Sequence, residues 1–210
     1  MSAQKAASWA YAEDFVGETL ALENARARGE QLGATPILPG TGATLRLLAA
    51  ATRARAVVEI GSGAGISGLW ILEGMPADGI LTTIEVEPEH GRMAKQAFQE
   101  AGVPPQRTRV ITGDALDVLP RLTDQAYDMV HVDAAKPDYP AYVEQAIRIL
   151  RRGGVLAINN MLWHDRVADP AVRDETTTIV RDLGKQLRDD ERIIPTLLPV
   201  GDGLFAAVKR

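Results

Sequence analysis

The stretch VVEIGSGAGISGLW, residues 57–70, sets a carboxylate, Glu59, inside an apolar run and follows it with glycines at alternate positions, Gly61, Gly63 and Gly65. Glycines so spaced let a chain turn sharply out of a buried strand and bring its backbone close to a ligand. A dinucleotide loop reads G-x-G-x-x-G. Gly61 and Gly63 fit that pattern, but its sixth position is Ile66. A phosphate loop needs Gly-Lys-Ser/Thr, and no lysine is present. A tight strand-to-helix turn with no ligand is the plain alternative. Glu85 ends the run TTIE, and its paired oxygens can accept two hydrogen bonds from ribose hydroxyls; the alternative is a solvated strand end. Gly113, Asp114 and Ala115 follow a third run, where they could line an adenine edge, although Gly-Asp is also common turn chemistry. A second group follows. Asp133 closes the run DMVHVD with Lys136 three residues on, and Asn159 and Asn160 close the run LAINN.

These residues need elements that bring them to one edge. From residue 56 onward, apolar runs alternate with helical patterns. Strands are expected at 56–60, 80–85, 109–112, 129–132 and 155–159, with helices at 67–75, 88–101, 115–119 and 139–150 between them. Pro88 suits a first helical turn, where its missing N–H costs nothing. The strands lack clean alternation, as expected when helices cover both faces. This rhythm implies an α/β fold with a doubly wound, Rossmann-like parallel sheet, whose ligand sits at the carboxyl ends of the strands. After a helix at 170–188, strands at 192–197 and 204–208 are separated by a turn too short for a helical crossover, so that pair is antiparallel. Seven strands result, the last antiparallel to the rest. Upstream, residues 1–6 read as loose, 8–22 as one helix, 33–42 as a shaped loop rich in Gly and Pro, and 44–51 as a short helix. The chain divides into an N-terminal helical extension, 1–33, and a core, 34–210, of one domain.

The acidic residue before Gly61-x-Gly63-x-Gly65 resembles the S-adenosylmethionine loop of class I methyltransferases. EIGSGAGIS is similar to the loop of the catechol and caffeoyl-CoA O-methyltransferases, Glu-Leu/Ile-Gly-x-x-x-Gly-Tyr-Ser, with Ile66 in place of the tyrosine and Ser67 matching the serine. The resemblance runs from ATPILPGTG to GDGLFAAVKR. It implies a cofactor site built from Thr35, Ile37, Glu59, Gly61, Ser62, Gly63, Gly65, Ser67, Glu85, Val86, Asp114, Ala115 and Asp133, with the segment at 34–37 closing over it. It implies that Asp133 and Lys136 are catalytic, Lys136 as general base. It also implies a Mg²⁺ or other divalent site at Asp133, Asn159 and Asn160, where the family has Asp-Asn. Asn159 leaves that site one charge short, so metal binding is expected to be weakened. The family's substrate glutamate falls at Thr196, so a small catechol is not implied. Trp163, His164 and Tyr139 are placed at the acceptor pocket's border, and His90 and His131 are given no role.

A chain of 210 residues with 46% hydrophobic and 24% charged residues suits one soluble domain with a full core. A net charge of −5 with no basic stripe argues against nucleic acid as a partner. With no cysteine, disulfides, thiolate metal sites and cysteine nucleophiles are excluded. No apolar run reaches the ~18 residues of a membrane span, and the N-terminus lacks a signal-peptide pattern, so a cytoplasmic protein without membrane partners is expected. Trp9, Tyr11, Phe15 and Leu20 exceed what a sheet covered on both faces can bury; with the resemblance, this implies a homodimer. The expected function is S-adenosylmethionine-dependent O-methyl transfer to a small hydroxylated, aromatic acceptor, with divalent-metal assistance. The alternatives are a nicotinamide-dependent oxidoreductase, which Ile66 opposes, and a catalytically decayed S-adenosylmethionine-binding protein.

Overall fold

A computed structural model describes residues 3–31 and 33–210. The chain runs α1 (Ala3–Glu13), α2 (Leu20–Gln31), α3 (Pro39–Ala51), β1 (Ala56–Ile60), α4 (Ile66–Gly74), β2 (Ile80–Glu85), α5 (Pro88–Glu100), β3 (Thr108–Thr112), α6 (Ala115–Val118), β4 (Tyr127–Val132), α7 (Tyr139–Ile149), β5 (Leu150–Ile158), α8 (Glu175–Arg188), β6 (Ile193–Leu198) and β7 (Leu204–Lys209). The seven strands form one sheet in the order β3-β2-β1-β4-β5-β7-β6. β1 pairs in parallel with both β2 and β4, while β7 pairs antiparallel with β5 and β6. Strand order reverses between β1 and β4, so that crevice is the switch point where a doubly wound sheet takes its ligand.

Two apolar layers sandwich the sheet. Val57, Met129, Val155 and Ala157 face one, with Trp70, Leu45 and Phe98. Val58, Val130, Leu156 and Ile158 face the other, with Tyr139, Ile147 and Val180. Such strands are apolar on both faces, which is why their sequences do not alternate. Pro195 sits in β6, the sheet's outer strand, where an absent donor is tolerated.

The upstream reading needs correcting. The helix expected over 8–22 is two helices broken between Glu13 and Leu20, a gap that contains Gly17. α2 went unread because its mean character is polar. It nevertheless buries Leu22, Ala25 and Gly29, at three- and four-residue spacing. The looseness expected over 1–6 fails at 3–6, which are helical; residues 1 and 2 lie outside the described residues. α3 begins at Pro39 rather than at 44, with proline in its first turn. Its Gly40 and Gly42 are not loop residues. A Cβ at Gly40 would strike the Glu13 carboxylate, and one at Gly42 would strike the Trp70 ring. β5 starts five residues early, at Leu150, through charged and glycine positions that the apolar criterion skips. α8 begins at Glu175, where the Asp174 carboxylate accepts from Thr177 N at 3.1 Å and caps it.

Candidate active site

The carboxyl ends of β1, β2, β3 and β4 open on a cavity of about 460 Å³. The loop after β1 turns into it with φ of 90° at Gly61 and 47° at Gly63. A Cβ at Gly61 would meet the backbone oxygen of Asp133, so glycine is what lets the β1 and β4 tips lie this close. Glu85, buried at the tip of β2, holds the loop. Its Oε2 accepts from Ser62 N and Gly63 N, both at 2.9 Å, and its Oε1 accepts from Glu87 N at 3.0 Å. A carboxylate offers about four acceptor positions; three are used, so chelating two hydroxyls requires one of these bonds to yield. The Ser62 and Thr83 hydroxyls are 2.6 Å apart. Asp114 caps α6 by accepting from Leu116 N at 2.8 Å. The segment 34–37, which lines the cavity, is tied from α2: Arg26 donates to Ile37 O at 2.8 Å and to Glu18 at 2.5 and 2.8 Å.

Of the residues expected at the cofactor, Thr35, Ile37, Gly61, Ser62, Gly63, Ser67, Glu85, Val86, Asp114, Ala115 and Asp133 line this cavity. Glu59 and Gly65 do not. Glu59 is fully buried beneath the loop, where Oε1 accepts from Ser67 Oγ at 2.6 Å and lies 3.6 Å from His131 Nδ1. It reaches the cavity only through Ser67. Gly65, with φ of 89°, instead makes room for Ala94 of α5. Two histidines without an expected role belong here. His90 lines the cavity, with Nδ1 3.9 Å from Glu85 Oε1. His131 stands opposite Glu59 in the β1–β4 register, a pairing visible only once the strands are aligned.

A second cavity, of about 540 Å³, adjoins the first and shares Thr35, Pro36, Ile37, Asp133, Ala134 and Ala135 with it. Lys136, Asn159, Asn160, Trp163, His164, Thr41, Thr176 and Asp202 complete its polar rim. Lys136 Nζ donates to Tyr139 Oη at 2.7 Å, Ala134 O at 3.2 Å and Asp133 Oδ1 at 3.3 Å, and lies 4.7 and 5.6 Å from the Tyr139 and Trp163 ring centroids. Tyr139 does not border the pocket. It is buried beneath Lys136 and donates to Asn159 O at 3.2 Å. Burial, with Asp133 adding repulsion, pushes the Tyr139 phenol well above its ordinary value, so it stays neutral. Asp202 was missed: it stood in the sequence as part of a Gly-Asp-Gly turn, and only the β6–β7 hairpin carries it across to Asn160.

The three expected metal ligands line the same cavity, but their side chains are bonded to other groups. Asn159 Nδ2 donates to Asp133 Oδ2 at 2.8 Å, while Lys136 occupies Oδ1. Asn160 turns away, donating from Nδ2 to Asp202 Oδ2 at 3.1 Å. The carboxylate is therefore already bonded to Lys136 Nζ and capped by an amide N–H. No group of three His, Cys, Asp or Glu side chains that could hold a metal occurs among the described residues. Hard divalent cations need several free oxygen donors, and this set does not fit one.

A family model described as O-methyltransferase matches residues 12–210. A Mycobacterium ulcerans (strain Agy99) protein whose name is "Putative O-methyltransferase" is 50% identical over 95% of this chain and 89% of its own length. Among solved structures, a Corynebacterium glutamicum protein superposes with a TM-score of 0.90 at 33% identity, covering 99% of this chain and 97% of that one. The O-methyltransferase TomG from Streptomyces achromogenes, involved in tomaymycin synthesis and solved in complex with S-adenosylmethionine, gives 0.87 at 31% identity, covering 100% and 99%. An O-methyltransferase from Bacillus cereus in complex with S-adenosylhomocysteine gives 0.86 at 26% identity, covering 98% and 97%.

Proposed function

Because the chain belongs to the O-methyltransferase family, we propose that it moves the methyl group of S-adenosylmethionine to a hydroxyl oxygen of a small acceptor, a hydroxylated aromatic molecule. The observation that carries this reading is the pair of adjoining cavities with Asp133 in their common wall. The first takes the cofactor and the second the acceptor. The cofactor supplies an electrophilic methyl group on a sulfonium.

The residues then have these roles. Glu85 accepts from the ribose, Ser67 binds the methionine carboxylate with Glu59 orienting it, and Asp114 and Ala115 lie along the adenine. The acceptor hydroxyl sits between Asp133 and Lys136. Its oxygen would take the methyl group as the carbon–sulfur bond breaks, and its proton would pass to Lys136 Nζ, after Nζ has released one of its own protons to solvent. Tyr139 Oη, Ala134 O and Asp133 Oδ1, which accept from Nζ in the free chain, would hold it again once it has taken the proton. Alignment of oxygen and methyl supplies much of the rate. The donor set does not support a step through a divalent cation. Residues 1–210 act as one domain, with 1–33 as its helical extension, and the protein works in the cytoplasm as a homodimer. Among the described residues, no helix is long and apolar enough to cross a membrane.

The test pairs calorimetry of S-adenosylhomocysteine and NAD with methyl transfer to a panel of catechols and other phenols, with and without EDTA. Binding of S-adenosylhomocysteine and transfer to at least one phenol are expected. Lys136→Ala should lower turnover by ~10²–10⁴-fold, the usual contribution of a positioned base, and leave S-adenosylhomocysteine affinity intact. Tight binding with no transfer to any phenol would turn the reading toward a binding protein without this activity.

A further inference from the structure

Glu13, the last residue of α1, is buried, yet the proposed chemistry does not use it. Each carboxylate oxygen accepts a backbone N–H from a different segment: Oε2 from Gly40 at 3.0 Å, Oε1 from Gly201 at 2.6 Å. Gly40 lies in the first turn of α3, whose positive end favours an anion. Its neighbour Thr41 lines the acceptor cavity. Gly201 belongs to the β6–β7 turn, whose next residue, Asp202, lines the same cavity. The fit is close. A Cβ at Gly40 would strike the Glu13 carboxylate, and one at Gly201 would strike Thr41 Oγ1. One helical turn back along α1, Trp9 donates Nε1–H to Pro199 O at 3.0 Å, in the same β6–β7 turn.

Asp202 passes this restraint on. Its Oδ1 accepts from His164 N at 2.6 Å and its Oδ2 from Asn160 Nδ2 at 3.1 Å. These bonds hold a stretch in which Asn160, Trp163, His164 and Asp165 all have positive φ, between 47° and 61°. Non-glycine residues keep that conformation only where their surroundings fix it. Trp163 and His164 line the acceptor cavity.

We infer that Glu13 is a positioning residue for the acceptor cavity: its two oxygens fix the α3 wall and the Asp202 wall relative to each other, and through Asp202 the strained wall at 160–165. Glu13 touches no reacting atom. The inference rests on the second cavity being the acceptor site. It gives the N-terminal helix a part in acceptor recognition and none in cofactor binding, since the glycine loop is held by Glu85.

Glu13→Gln keeps the size but offers one acceptor oxygen for two N–H groups. Hydrogen exchange in segments 199–205 and 160–166 of the full chain should rise about tenfold, the change that loss of one ordinary buried hydrogen bond produces. Exchange over 61–67 and the dissociation constant for S-adenosylhomocysteine should stay within about twofold. Trp9→Phe, which removes only the bond to Pro199, should speed exchange in 199–205 alone. For a phenol that the wild type methylates, Glu13→Gln should raise KM about tenfold and change kcat less. Unchanged exchange at 160–166 overturns the inference. So does a parallel rise at 61–67 with weakened S-adenosylhomocysteine binding, which would mark Glu13 as a general stability residue. A wild type that methylates no phenol counts against the proposed reaction, whereas the exchange pattern by itself decides the positioning role.

Discussion

Replacing Glu85 tests whether one carboxylate both shapes the glycine loop and holds the cofactor. Its oxygens accept from Ser62 N, Gly63 N and Glu87 N at 2.9–3.0 Å. Glu85→Ala strands three donors at a position only 6% exposed. A hydrogen bond to a charged group is worth about 1.5–3 kcal/mol. Water entering the space left by the side chain can satisfy part of the loss in the free chain. A ribose hydroxyl has no such substitute inside a closed complex. The weakening of S-adenosylhomocysteine binding is therefore expected at about 1.5–3 kcal/mol, which is roughly 10- to 150-fold in Kd. Glu85→Gln keeps one oxygen and should fall near the lower end. Titration calorimetry gives the affinities, and hydrogen exchange at Ser62 and Gly63 in the free chain shows how far loop disorder contributes. A Kd for Glu85→Ala within twofold of wild type would refute the ribose assignment; Glu85 would then be a loop residue only.

Asn159→Asp sets a second carboxylate against Asp133, where an amide N–H now donates at 2.8 Å. Without metal this variant should lose about 1–3 kcal/mol of stability, and millimolar Mg²⁺ should restore it, while the wild-type Tm ignores Mg²⁺. Thermal melts across a Mg²⁺ titration check this, and a Mg²⁺ response in the wild type would contradict the reading of the site. Asp128 ties β1, β4 and β5 by accepting from Arg55 N, Ala56 N and Arg151 Nε at 2.6–2.9 Å. Burial acts to raise its carboxyl, but the Arg151 bond and the two N–H bonds outweigh it, so the folded value lies below the ordinary one. Its contribution to stability is therefore present above about pH 4 and lost as pH falls through the depressed folded value. Asp128→Asn should cost about 1.5 kcal/mol in urea unfolding at pH 7, and the gap should narrow toward pH 3; a gap independent of pH would show that the charge is irrelevant. Finally, Trp9, Tyr11, Phe15 and Leu20 are 43–72% exposed, and light scattering at micromolar concentration should report a dimer mass; a monomer would dismiss the homodimer.

The sequence alone determined the sheet and the glycine-loop side of the crevice, because both depend on local order. Short apolar runs with helical patterns between them specify a parallel sheet whatever the rest of the chain does. Glycines immediately after the first run, and an acidic residue closing the second, arrive at the carboxyl edge by chain connectivity. Local polarity also hid things. α2 is polar on average, and only docking against Ala64 explains its buried Gly29. The glycines of α3 read as a loop until the Glu13 carboxylate and the Trp70 ring are brought against them. The side around Lys136 and Asn160 was decided by tertiary structure. Asn159 and Asn160 are adjacent in sequence and were expected to act together, yet one bonds Asp133 and the other Asp202. Asp202 and Glu13 carry no local signal, because their partners lie 42 and 188 residues away along the chain. Pairings over such separations form only when hairpin and helix close on each other, so no window of sequence contains them.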